Sequence, residues 1–121
     1  MIDERLPNVS FISWAFASLI GQLVEWTPKL PVRNVTASGN ANPLDGLVRA
    51  DATSGAITLT LETAVGCVGR MHNFKKIDAS ANTVTIDGAG SETIDGATTL
   101  VISTQYVSYQ IVSNGSGWDI I

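Results

Sequence analysis

The chain has one cysteine, one histidine and no proline after Pro43 in its 121 residues. Each scarcity excludes something. A single thiol, Cys67, rules out an intrachain disulfide, so burial and hydrogen bonding must hold the fold. A single imidazole, His72, rules out a two-histidine metal site within one chain. Charged residues make up only 15% and hydrophobic residues 45%, too apolar a balance for a disordered, self-repelling chain. Seven Lys and Arg against eleven Asp and Glu give a net charge of −4. That is the wrong sign for a general nucleic-acid binder, whose phosphate contacts need clustered cations. The one cationic knot, Arg70 with Lys75 and Lys76, has the pattern of solvated surface. The length suits one modest domain, or a small domain with an extension.

Proline divides the chain. All four prolines (Pro7, Pro28, Pro31, Pro43) fall in residues 1–46. From Leu47 onward the text alternates Thr, Val, Ile and Leu, punctuated by Gly, Asn, Asp and Ser. Proline cannot donate to a sheet ladder, so its absence there fits continuous strand pairing. Three parts follow: residues 1–26, a hydrophobic N-terminal segment; 27–46, a Pro/Gly/Asn connector with no sustained period; and 47–121, a β-structured module.

In "NVSFISWAFASLIGQLVEW", residues 8–26, Asn8 or Ser10 can cap a helix and Pro28 stops its continuation. Phe11, Trp14, Phe16, Leu19, Ile20 and Leu23 point in several directions around such a helix, and a helix apolar on all sides must be buried. The run is too short for a membrane span, and Gly21, Gln22 and Glu25 interrupt its end. "MIDER" lacks the positive leader of a secretory signal. Without such a signal, the Asn-X-Ser/Thr matches at Asn8, Asn34 and Asn114 are chance. Two readings stand for the segment. It is a core helix of its own domain, or an assembly anchor, helical or extended, buried by neighbouring subunits.

The module reads as short strands with one apolar face each. Ile57, Leu59 and Leu61 share a face, as do Val84 and Ile86, then Leu100 and Ile102, then Val107, Tyr109 and Ile111, then Trp118 and Ile120. With Ile94 these residues form the expected β-core. "GRMHNFKKID" is a less regular strand beginning at Arg70. Asp87-Gly88, Asp95-Gly96 and Asn114-Gly115 supply turns. Turns at this spacing predict a mainly β protein, a small antiparallel sandwich or open barrel.

Thr-Ile-Asp-Gly occurs twice, at 85–88 and 93–96. A calcium loop needs converging oxygen ligands, and Asp87 and Asp95 have only Glu92 nearby, so the pairs read as corners. A Cys67–His72 dyad can be drawn, but five residues along one strand place the two side chains on opposite faces. No catalytic residue, cofactor or metal site is expected, and an enzyme is the weakest of three function classes.

Residues 57–121 contain, in order, "ITLTLET", "TAVGCVGR", "KKIDASANTVTI", "ETIDGATTL" and "SGWDI". This series resembles a β-module of tailed-bacteriophage virion proteins found in fibres, spikes and head fibres. Glu62 and the Met71-His72 pair depart from the usual pattern without touching the turns. The resemblance implies an intertwined homotrimer, located in the virion and made in the host bacterial cytoplasm. A chain with about 55 residues ahead of the module has the economy of a head fibre or capsid decoration, anchored on other virion proteins such as the major capsid protein. The alternative is a short tail-fibre or adaptor protein that binds a host surface glycan or protein. No nucleic-acid or membrane partner is implied.

Overall fold

The structure, a computed structural model, describes residues 29–121. The anchor residues Phe11, Trp14, Phe16, Leu19, Ile20 and Leu23 therefore lie outside the described residues. Nine strands follow one another: β1 (Val32–Val35), β2 (Gly39–Asn40), β3 (Leu47–Ala50), β4 (Ile57–Thr60), β5 (Met71–Lys76), β6 (Val84–Asp87), β7 (Thr99–Ile102), β8 (Ser108–Ser113) and β9 (Trp118–Ile120). They form a five-stranded sheet in the order β1-β3-β5-β8-β9 and a four-stranded sheet in the order β2-β4-β6-β7. The described part has no helix, and its two sheets are not closed into a barrel. The architecture is sandwich-like.

Two expectations need correction. The first is the antiparallel pairing. β1–β3, β3–β5, β2–β4 and β4–β6 are all parallel, and only β5–β8, β6–β7 and β8–β9 are antiparallel. From β1 to β6 the chain alternates between layers, so each strand of one sheet is the crossover for the next strand of the other. A parallel pair needs a crossover of about a dozen residues, usually a helix. Here a strand in the opposite layer fills that role, and period-two alternation looks the same either way. The second correction concerns the connector. β1 and β2 lie within residues 27–46 and pair with β3 and β4, so the sheets begin upstream of Leu47.

The core lies between the sheets. Val48, Phe74, Ile111 and Trp118 from one layer meet Ile57, Leu59, Val84, Ile86 and Ile102 from the other, all at most 1% exposed. Leu61 and Ile94 are also buried, and Leu100, Val107, Tyr109 and Ile120 pack against this cluster half-buried. Ala50, Ala52 and Ala64 are fully buried where the chain changes layers. Small side chains there let the connections lie close to the core.

The two Thr-Ile-Asp-Gly copies share an inward isoleucine and otherwise differ. Asp87 ends β6, and its carbonyl accepts the Leu61 N–H at 2.8 Å. Asp95 has a φ of 48° in a turn, and its Oδ1 accepts the Ile120 N–H at 3.0 Å. Gly96 is needed for its positive φ of 84°. Gly88 is needed for space, because a Cβ there would overlap the Glu92 carbonyl. Gly88→Ala is expected to destabilise by about 1–3 kcal/mol, the usual range for overpacking. Gly55→Ala, with open space around it, should be nearly neutral. Thermal melts of the two variants check this.

Candidate functional site

The segments that carry the family resemblance meet in one framework. Glu92 accepts the Ala64 N–H at 2.8 Å and the Thr63 hydroxyl at 2.5 Å, joining "TAVGCVGR" to "ETIDGATTL". Ser113 donates its hydroxyl to the Ala64 carbonyl at 2.7 Å, and its own carbonyl accepts the Gly69 N–H at 2.8 Å. In "KKIDASAN", the fully buried Lys76 ammonium donates to Asp78 Oδ2 at 2.8 Å. Asp78 also accepts the Ala52 N–H at 2.8 Å, the Ser80 N–H at 3.0 Å and the Ser80 hydroxyl. Asn82 donates to the Ala52 carbonyl at 2.8 Å. Lys76, then Ser80, hold the Asp78 carboxyl well below the usual carboxylate range, because each of their hydrogen bonds favours the charged form.

A second polar chain crosses the interior around His72, which is fully buried. Its Nδ1 lies 3.1 Å from the Asp45 carbonyl. Nε2 faces both Glu62 oxygens, at 3.0 and 3.2 Å. Arg70 reaches Glu62 at 3.4 Å, and Arg33 binds Asp45 through two nitrogens at 2.7 and 2.9 Å. Burial works against the Asp45 charge, but Arg33 and the Asn42 N–H more than offset it and lower that carboxyl. The His72 ring sits 5.8 Å from Phe74 and 5.5 Å from Trp118, tilted against both. The imidazole is therefore a structural link between β5 and two loops.

The Cys67–His72 dyad is not assembled. The Cys67 thiol donates towards the Thr63 and Ala64 carbonyls at 3.3 and 3.4 Å, and both His72 nitrogens are engaged elsewhere. Among the described residues no three His, Cys, Asp or Glu side chains converge as a metal site would require. The cationic knot divides three ways. Lys76 points inward, Arg70 pairs with Glu62, and Lys75 stays at the surface with its ammonium 5.6 Å from the Tyr106 ring centroid.

The outer face of the five-stranded sheet holds the most functional-looking arrangement. Register aligns three rows across the strands. Val32, Leu47, Asn73 and Gln110 form one, Asn34, Arg49, Lys75 and Ser108 the next, and Met71, Val112 and Asp119 the third. Leu30, Leu47, Met71, Asn73, Lys75, Ser108 and Gln110 line a groove of about 660 Å³. Leu30 lies over Gly46, where a Cβ would displace it. Tyr106 stands beside the groove, 63% exposed, with a φ of 67°. A bulky residue held in the left-handed region costs on the order of 1–3 kcal/mol. Sequence reading missed this face because Arg49, Lys75 and Tyr106 are distant in sequence. The one legible signal was the Met71, Asn73, Lys75 alternation.

Among the described residues no helix is long and apolar enough to cross a membrane. Compared with models of known protein families and with curated proteins, the sequence gives no match.

Proposed function

We propose that the chain is a non-enzymatic structural protein of a tailed-bacteriophage virion, a trimeric head fibre or capsid decoration attached to the capsid through its N-terminal segment. One observation carries this reading. Three of the segments that resemble the phage β-module are tied into one framework: Glu92 clasps Thr63 and Ala64, and Asp78 ties Lys76, Ser80 and Ala52 together. Such a framework is what a small module needs to stay rigid on a particle. Its partners are two further copies and another virion protein, the major capsid protein first. The apolar side chains of residues 11–23 supply the anchor, at about 25 cal/mol for each Å² of apolar area buried.

Purified particles test the reading. The full-length chain is expected at capsid lattice points by cryo-electron microscopy, with a trimer mass by light scattering of the isolated protein. A chain lacking residues 1–26 is expected to remain folded and to be lost from particles. A monomer at micromolar concentration, or normal decoration by the truncated chain, overturns the reading. A second reading, a short tail-fibre or adaptor protein that binds a host surface glycan, is favoured by the outer-face groove. Labelled protein on the tail instead of the capsid would select it.

A further inference from the structure

Arg49 and Lys75 are direct neighbours on adjacent parallel strands and share the outer face of the sheet. Their row contains Asn34 and Ser108 and no carboxylate. Like charges in register repel, and this pair occurs on a chain with a net charge of −4. Arg49 donates to Asn34 Oδ1 at 3.0 Å, its one side-chain hydrogen bond among the described residues. Lys75 forms no ion pair among the described residues, and its nearest aromatic partner is the Tyr106 ring.

The adjacent row adds amides. Asn73 uses its side-chain N–H on the Gly46 carbonyl at 3.0 Å, and its Oδ1 accepts no hydrogen bond among the described residues. Gln110, its partner on β8, and Ser108, the partner of Lys75, bring a second amide and a hydroxyl to the same groove, which Leu47 and Met71 also line. A groove of about 660 Å³ lies within the size range of small-molecule sites, which combine an apolar floor with a few convergent polar groups. Tyr106 is an independent pointer. Its N–H is tied to the Lys76 carbonyl at 2.7 Å and its backbone adopts a left-handed φ that glycine would accept without strain, yet the position carries an exposed aromatic ring.

We propose that this groove binds a carboxylated saccharide. The sugar carboxylate pairs with Lys75, which lines the groove, and with a further N–H of Arg49, its neighbour in register just outside the lining. Asn73, Ser108 and Gln110 exchange hydrogen bonds with ring hydroxyls, and the Tyr106 face offers apolar area to the C–H side of a pyranose. A bare phosphate would use the cations and leave the amides and the ring idle. Nucleic acid needs a longer cationic track than two side chains provide. A stable protein partner would cover about 800 Å² on this side, well beyond one groove. The second reading above supplies the biological setting only. Binding in solution is measured separately from particle location.

The test uses full-length ¹⁵N-labelled protein titrated with digalacturonic acid. Controls are a neutral digalactoside, inorganic phosphate and a short single-stranded DNA. The acidic sugar is expected to shift the amide signals of residues 73–75 and 106–110, with a Kd on the order of 1 mM. Arg49→Gln and Lys75→Gln are each expected to weaken it about tenfold, the usual effect of losing one charge-assisted hydrogen bond. Tyr106→Asn, which tolerates the left-handed backbone, should weaken binding without lowering Tm. The proposal is overturned if the neutral sugar or phosphate binds as well, if DNA binds more tightly, or if the groove signals do not move at about 10 mM sugar. It is also overturned if Met71→Glu splits an oligomer whose groove never responds to sugar, because the face is then a subunit interface. Sugar binding by a chain absent from particles would sink the virion reading and leave the groove assignment standing.

Discussion

Trp118→Ala is expected to remove about 3–5 kcal/mol of stability, the range for truncating a large buried aromatic. Trp118 is 1% exposed and packs at 5.5 Å against the buried His72 ring. Its backbone also joins two parts of the fold. The Trp118 N–H donates to the Thr93 carbonyl, and its own carbonyl accepts the Asp95 N–H, each at 2.9 Å. The cavity would open where the last strand meets the second Thr-Ile-Asp-Gly turn. For a domain of this size the loss corresponds to a fall in Tm of roughly 12 °C or more. Trp118→Phe should cost far less. It keeps most of the volume and removes a buried indole N–H that has no hydrogen-bond partner among the described residues. Thermal unfolding of both variants decides the matter. Equal losses for Ala and Phe would mean that the indole N–H is satisfied and matters more than the packing.

The Lys76–Asp78 pair should give the second large effect, and it is read through pH. Lys76 is fully buried and donates to Asp78 at 2.8 Å. Removing one partner strands the other group away from water, so Lys76→Met alone is expected to destabilise more than Lys76→Met with Asp78→Asn. The folded-state carboxyl of Asp78 titrates below its ordinary value. Its contribution to stability is therefore complete above about pH 5, where the unfolded carboxyl is ionised, and declines as pH falls towards the lowered folded value. Asp45 and Asp51 are shifted in the same direction and add to that acid limb. Urea midpoints measured from pH 7 downward should fall steeply for the wild type and more gently for Asp78→Asn. Parallel acid limbs would show that the pair does not report on folding.

The buried residues on the strands were legible because alternation is local. Leu59, Val84, Ile86, Ile102 and Ile111 sit two apart from other apolar residues, and a strand with one covered face must place them inward. The polar residues on the same faces were not legible. His72 and Lys76 occupy inward positions beside Phe74 on β5. No local rule puts an imidazole and an ammonium in a core. They are tolerated because Glu62 and Asp45 arrive from other parts of the chain to meet His72, while Asp78, two residues on, turns back to pair with Lys76. β1 and β2 escaped notice for a related reason. Strands of four and two residues between Pro31 and Pro43 have too short a pattern to stand out from a connector.

By itself the sequence determined a mainly β chain, its turns, and most of the side chains that fill its interior, since all three follow from the preferences of residues and their near neighbours. Tertiary structure alone decided that most strand pairs run parallel, because direction depends on which layer the intervening strand enters. It also decided that Arg49 and Lys75 stand side by side with Tyr106 close to Lys75. Their meeting depends on the register between β3, β5 and β8, which is set by packing across both sheets and leaves no mark on the spacing of the residues themselves.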